Sequence, residues 1–134
     1  MAYPNVSIDQ GGFGSLQADA AGALTLYQRV KFTTTADANG AKPTIVVAGA
    51  TDRAVAVVMQ PIAASAFGTV RWLNAQGEQY GIASGTIPVG TLIYAAANGA
   101  LSVSSAGGAL PVGFSTTAGY DGGAFSYFVF TPAA

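Results

Sequence analysis

The sequence predicts an all-β domain: a compact sandwich or small barrel of short antiparallel strands with an extended N-terminal arm. Three observations predict it. Short alternating or β-branched apolar runs recur from Leu24 to Phe130, parted by Gly, Pro and Asn turns. Only Ala63-Ala64-Ser65-Ala66 suits a helix, and Pro61 and Gly68 confine it to one turn. Hydrophobic residues make up 51% of the 134 positions, enough to fill a core and too many for a disordered chain.

Residues 1–22 read as an arm. Tyr3, Val6, Ile8, Phe13 and Leu16 are scattered among Gly11, Gly12, Gly14 and the small residues up to Gly22, so no long element is sustained. An edge strand plus loop of the same domain is the alternative. Residues 23–134 form the β domain. Leu24 to Phe32 alternates with period two: Leu24, Leu26, Val30 and Phe32 share one face, Thr25, Tyr27, Arg29 and Lys31 the other. Pro43–Ala48 and Val55–Met59 are continuous apolar runs, as in strands buried on both faces. Thr69–Leu73 is a further strand, and Gln79–Ala83 can return beside it through the turn at Asn74–Glu78.

The second half carries stronger turn signals. Thr91–Tyr94 and Ala100–Val103 flank Asn98-Gly99, a hairpin dipeptide. Pro111–Thr116 leads to the turn at Tyr120–Gly123 and then to a last strand, Ala124–Phe130, which Pro132 stops. Phe125, Tyr127 and Val129 share one face of that strand, with Phe128 and Phe130 on the other, so one face is free to meet another subunit. No internal repeat of fixed period is visible.

Composition excludes several kinds of function. There is no Cys and no His, so thiolate chemistry, the commonest general base and the commonest metal ligand are all missing. Five cations and a net charge of −1 leave no footprint for nucleic acid. The apolar stretch from Ala54 is broken by Gln60, Pro61, Ser65 and Gly68, and the N-terminus lacks a basic and an apolar signal region, so no membrane association is expected. Charged residues reach 8%, against about 25% in ordinary soluble domains, and none lies between Glu78 and Asp121.

The residues expected of an enzyme are also wanting. No two of Asp9, Asp19, Asp37, Asp52, Glu78 and Asp121 fall close together in sequence. Asp121 suits a turn, and Asp52-Arg53 a surface pair. Gly12-Phe13-Gly14 lacks the third glycine of a dinucleotide fingerprint, since Gln17 stands there. Ser84 and Ser104 lack a nucleophile elbow, and no spaced acidic loop suits calcium. No catalytic residue, cofactor site or metal site is expected. Trp72 beside Arg71 is read as packing rather than as a base-stacking platform.

The order of motifs resembles the small capsid decoration, or cement, proteins of tailed bacteriophages. The resemblance runs from Gly22 to Pro132 and rests on Gly22-Ala23-Leu24, Arg53-Ala54-Val55-Ala56-Val57, Gly68-Thr69-Val70-Arg71, Ile87-Pro88-Val89-Gly90-Thr91-Leu92-Ile93-Tyr94, Asn98-Gly99-Ala100-Leu101-Ser102, Pro111-Val112-Gly113-Phe114 and Asp121-Gly122-Gly123. The chain departs from the family in having Ala56 where Gly is common, and in having fewer acidic residues. The resemblance implies a non-enzymatic structural protein on the outer surface of a virion head, bound to the major capsid protein and joined in a homo-oligomer, with a trimer favoured. On this reading Tyr3, Val6, Ile8, Phe13, Arg29 and Lys31 are capsid-binding candidates, and Trp72, Phe128 and Phe130 oligomer contacts. The other reading is a carbohydrate- or host-surface-binding module of a head fibre or tail, using Tyr27, Tyr80, Trp72 or Tyr120.

Overall fold

The computed structural model describes residues 15–33, 44–73 and 77–130. It is all-β, with ten short strands among the described residues: β1 (Ser15–Ala20), β2 (Arg29–Phe32), β3 (Thr44–Val47), β4 (Ala56–Val58), β5 (Phe67–Trp72), β6 (Gln79–Ile82), β7 (Leu92–Ala95), β8 (Leu101–Ser102), β9 (Pro111–Ser115) and β10 (Ala124–Val129). The first five close a barrel in the order β1-β3-β2-β4-β5, with β1 antiparallel to β5 and parallel to β3. The last five form a sheet in the order β6-β10-β9-β7-β8. A single parallel bridge, Ala83 to Leu101, joins its two ends.

These are two copies of one design. Leu24 bridges Ile62 in the first half as Ile87 bridges Gly119 in the second, each pair exchanging two backbone hydrogen bonds. The Ala20 N–H donates to Ala66 O at 3.0 Å as the Ala83 N–H donates to Gly123 O at 2.9 Å. The Ala21 N–H reaches Ile45 O as Ser84 N–H reaches Leu101 O, at 2.8 and 2.7 Å. Registers agree too: Arg29↔Val57 and Val57↔Arg71 in one half match Leu92↔Phe114 and Phe114↔Phe128 in the other. No fixed period accompanies the duplication, because β2 and β3 are farther apart in sequence than β7 and β8.

Each half has its own core. Leu24, Val30, Ile45, Val58, Ile62 and Val70 fill the first, and Ile87, Ile93, Leu101, Phe125 and Tyr127 the second. At one equivalent core site the bulk has changed sides. A Cβ on Gly68 would lie 2.4 Å from Ile62 Cγ1, whereas in the second half Gly119 is the small partner and Phe125 the large one. Close packing requires such compensation, because an added methyl group has no void to enter.

Several expectations are corrected. Ser15–Ala20 belongs to the barrel rather than to an arm, since β1 pairs with β5 along its length. Leu24–Phe32 is not one strand: a turn at Leu26-Tyr27, with Tyr27 at φ 65°, separates Leu24 from β2 and leaves Leu26 exposed. Gln79–Ile82 does not return against β5; β6 pairs with β10 in the other half. Ala63–Ala66 is a turn and not a helix. Of the run Pro43–Ala48, β3 buries only Ile45 fully, while β4 is buried at all three positions. The hairpin at Asn98-Gly99 forms as expected, with φ 59° and 74° at its two central residues. Among the described residues no helix is long and apolar enough to cross a membrane.

Candidate functional site

The halves meet across the outer face of β2 and β4. Val57 is 0% exposed and Arg29 3% exposed, although Val57 is on the opposite side of its strand from the core residues Ala56 and Val58. The second half supplies the cover. Its Asn98-Gly99 turn lies on β2, where the Gly99 N–H donates to Ala48 O at 2.9 Å and Gln28 Nε2 donates to Asn98 O at 3.0 Å. Gly99 suits that spot, because a Cβ there would approach both Arg29 N and Arg29 O at 2.9 Å. The Leu110 N–H donates to Ala50 O at 3.0 Å, and Gln79 Nε2 to Trp72 O at 3.4 Å.

The Arg29 guanidinium lies near Tyr127 and Asp52. Burial lowers its pKa, partly opposed by those two groups, and burial raises that of the Tyr127 phenol. Among the described residues, Arg29 Nε, Arg29 Nη1 and the Tyr127 hydroxyl find no hydrogen-bond partner. Outside this covered zone Lys31 pairs with Asp52 at 2.9 Å, each about one-third exposed. The Gly49 N–H donates to Asp52 at 2.8 Å, and with Lys31 it holds that carboxyl below its ordinary value.

Among the described residues, two surfaces are examples of faces open to a partner. One is an aromatic face on the second half. Phe114 and Phe128 oppose one another across β9 and β10 and are 48% and 52% exposed, with Leu92 opposite Phe114 on β7. Phe130 flanks them, its ring centroid 5.6 Å from that of Phe114. The other is a shallow cleft of about 440 Å³ at the junction of the halves, lined by Tyr27, Glu78, Tyr80, Thr117, Phe125 and Ser126. Tyr27 and Tyr80 stack there at 5.2 Å and 29°. Thr116 donates to Glu78 and shares a 2.7 Å hydrogen bond with Ser126, so the Ser126 hydroxyl is the donor in that second bond.

The sequence candidates fall unevenly on these surfaces. Tyr3, Val6, Ile8 and Phe13 lie outside the described residues. Arg29 is corrected: it is sealed between the halves and offers no charge to a shell. Lys31 is on the surface but engaged by Asp52. Trp72 is partly buried, its ring edge-on to Phe32 at 5.9 Å. Phe128 and Phe130 do lie together, and sequence reading missed Phe114 and Leu92 beside them. Period two places Phe114 with the buried Val112, so only the register of β9 against β7 and β10 reveals its exposure. Tyr120 is well exposed but is not among the cleft residues. No group of metal-ligating side chains occurs among the described residues.

No protein-family model matches the sequence, and no curated protein matches it. A solved structure does: the head fiber gp8.5 N base in bacteriophage phi29 is similar in fold, with a TM-score of 0.72, 15% sequence identity, and coverage of 87% of this chain and 92% of that one.

Proposed function

We propose that this chain is a non-enzymatic structural protein of a bacteriophage head, acting as a decoration or cement protein on its outer surface. The observation that carries the reading is the fold it shares, over nearly its whole length, with a phage head-fibre base. The exposed Phe114–Phe128 face supports it, because large exposed apolar patches on soluble proteins are places of assembly. On this reading the chain binds the major capsid protein as a homo-oligomer, with a trimer favoured, and spans neighbouring capsomers. It needs no cofactor, nucleic acid or membrane. The test is to add labelled protein to expanded empty heads and to measure occupancy and the temperature at which the heads disrupt. Saturable binding that raises that temperature is expected, and absence of binding rejects the proposal.

The cleft favours a second reading, a carbohydrate- or host-surface-binding module of a head fibre or tail. Stacked Tyr27 and Tyr80 beside Glu78, Thr117 and Ser126 combine an aromatic platform with hydroxyl and carboxylate groups, as sugar recognition requires. A glycan array probed with wild type and with Tyr80→Ala separates the two. Glycan binding lost in the variant, without head binding, favours the second reading.

A further inference from the structure

The duplication gives both halves the same outer face, and only one of the two is covered within the chain. In the first half the row Arg29–Val57–Arg71 crosses β2, β4 and β5. Arg29 and Val57 are sealed beneath the second half. In the second half the equivalent row is Leu92–Phe114–Phe128 across β7, β9 and β10, with both phenylalanines about half exposed. The covered row includes two arginines, whereas the open row is wholly apolar.

We propose that the Leu92–Phe114–Phe128 face is covered by the first half of a second copy of this chain, seated as the second half is seated on the first. This deepens the homo-oligomer part of the proposed function and rests on it. The molecule already contains the required interface: a five-strand unit of this topology receives, on this face, another unit of the same topology. In the next copy β1 stands where β6, whose Gln79 donates to Trp72 O, stands here, and the counterpart of the Asn98-Gly99 turn, between β2 and β3, lies outside the described residues. The contact is head-to-tail, so each chain gives one face and receives on another, and the inference is of the closed case, a ring rather than an open filament. Replacing Arg29, Val57 and Arg71 by Leu92, Phe114 and Phe128 suits a contact between separate chains, because no buried guanidinium has to be desolvated each time it forms.

Sedimentation velocity of the full chain is the first test. One closed species of several 13.3 kDa chains is expected, and Phe114→Glu/Phe128→Glu is expected to reduce it to monomer with an unchanged circular dichroism spectrum. Cross-linking of introduced cysteines with a bis-maleimide that spans an arginine side chain's length tests the geometry, and the chain has no Cys of its own to interfere. Arg71, the counterpart of Phe128, lies beside the start of the second half, where a Cβ on Gly77 would sit 3.7 Å from its Nη2. The matching stretch of the first half begins β1. With that reagent, Phe128→Cys mixed with Ser15→Cys is therefore expected to give a cross-linked pair, and Phe128→Cys alone none. A monomeric wild type, a glutamate variant that folds and keeps the assembled mass, or self-cross-linking of Phe128→Cys overturns the inference. Head occupancy is read separately. A monomer that still decorates heads removes this interface and the homo-oligomer while head decoration stands, whereas a ring that ignores heads removes the decoration role and keeps the interface.

Discussion

The ring of Tyr27 lies on that of Tyr80, centroids 5.2 Å apart and planes 29° from parallel, and the stack joins the two halves beside their shared cleft. Aromatic pairs of this geometry contribute about 0.5–1.5 kcal/mol beyond the area they bury. A double-mutant cycle with Tyr27→Ala and Tyr80→Ala is expected to give a coupling energy in that range, measured by urea unfolding. Trp72 is the sole tryptophan and lies in the first half, so its fluorescence follows that half specifically. A coupling near zero would mean that the rings meet without holding the halves together.

Arg29 and Tyr127 bring unpartnered polar atoms to the buried boundary between the halves. A buried hydroxyl without a partner costs about 1–3 kcal/mol of desolvation. Tyr127→Phe is therefore expected to raise stability by about 1 kcal/mol. Arg29→Met keeps the packing of the side-chain stem without the charge, and is expected to be neutral or stabilising. Thermal unfolding of both variants is the check. A loss above about 1 kcal/mol in Tyr127→Phe would show that the hydroxyl is satisfied in solution.

Gly68 is held small by Ile62. Gly68→Ala places a methyl group inside the van der Waals surface of Ile62 Cγ1 and Cδ1, and overpacking of this kind costs about 1–3 kcal/mol. The double variant Ile62→Ala/Gly68→Ala is expected to lose less than the sum of its two single substitutions, since shortening Ile62 opens the space the methyl needs. Additive losses in urea midpoints would contradict this account of the first core.

Asp52 confers pH dependence. Its carboxyl is held below its ordinary value by the Gly49 N–H first and by Lys31 second. A depressed folded-state pKa contributes stability that is complete above the ordinary carboxylate range and lost as pH falls through the folded value. The stability difference between wild type and Asp52→Asn is thus expected to be largest near pH 6 and to shrink toward pH 2. A difference independent of pH would show that neither the Gly49 N–H nor Lys31 depresses the Asp52 carboxyl.

The second half was more legible in the sequence than the first, for a physical reason. Gly90 and Gly122 supply the positive φ their turns need from residues that advertise it. The matching turns of the first half obtain it from Tyr27 and Ser65, which do not. Tyr27 completes an alternating pattern, so Leu24–Phe32 reads as one strand. The duplication is hidden because equivalent sites exchange size, as at Ile62 and Gly119, or exchange charge for apolar surface, as at Arg71 and Phe128. Arg29 reads as a surface cation because its cover comes from Asn98-Gly99, some seventy residues away. Of the open aromatic face, Phe128 and Phe130 were visible from the two-sided apolar pattern of β10. Phe114 became part of it only through strand register.

The segregation of strand pairing has a consequence for synthesis. Every ladder of the first barrel is made among β1 to β5, so its hydrogen-bond partners have all left the ribosome once Leu73 has emerged. The first barrel can close during translation, and domains generally fold as such units. What it lacks at that moment is a lid for Val57 and Arg29. The second half, arriving later, lands on a finished template and covers its Val57 and Arg29.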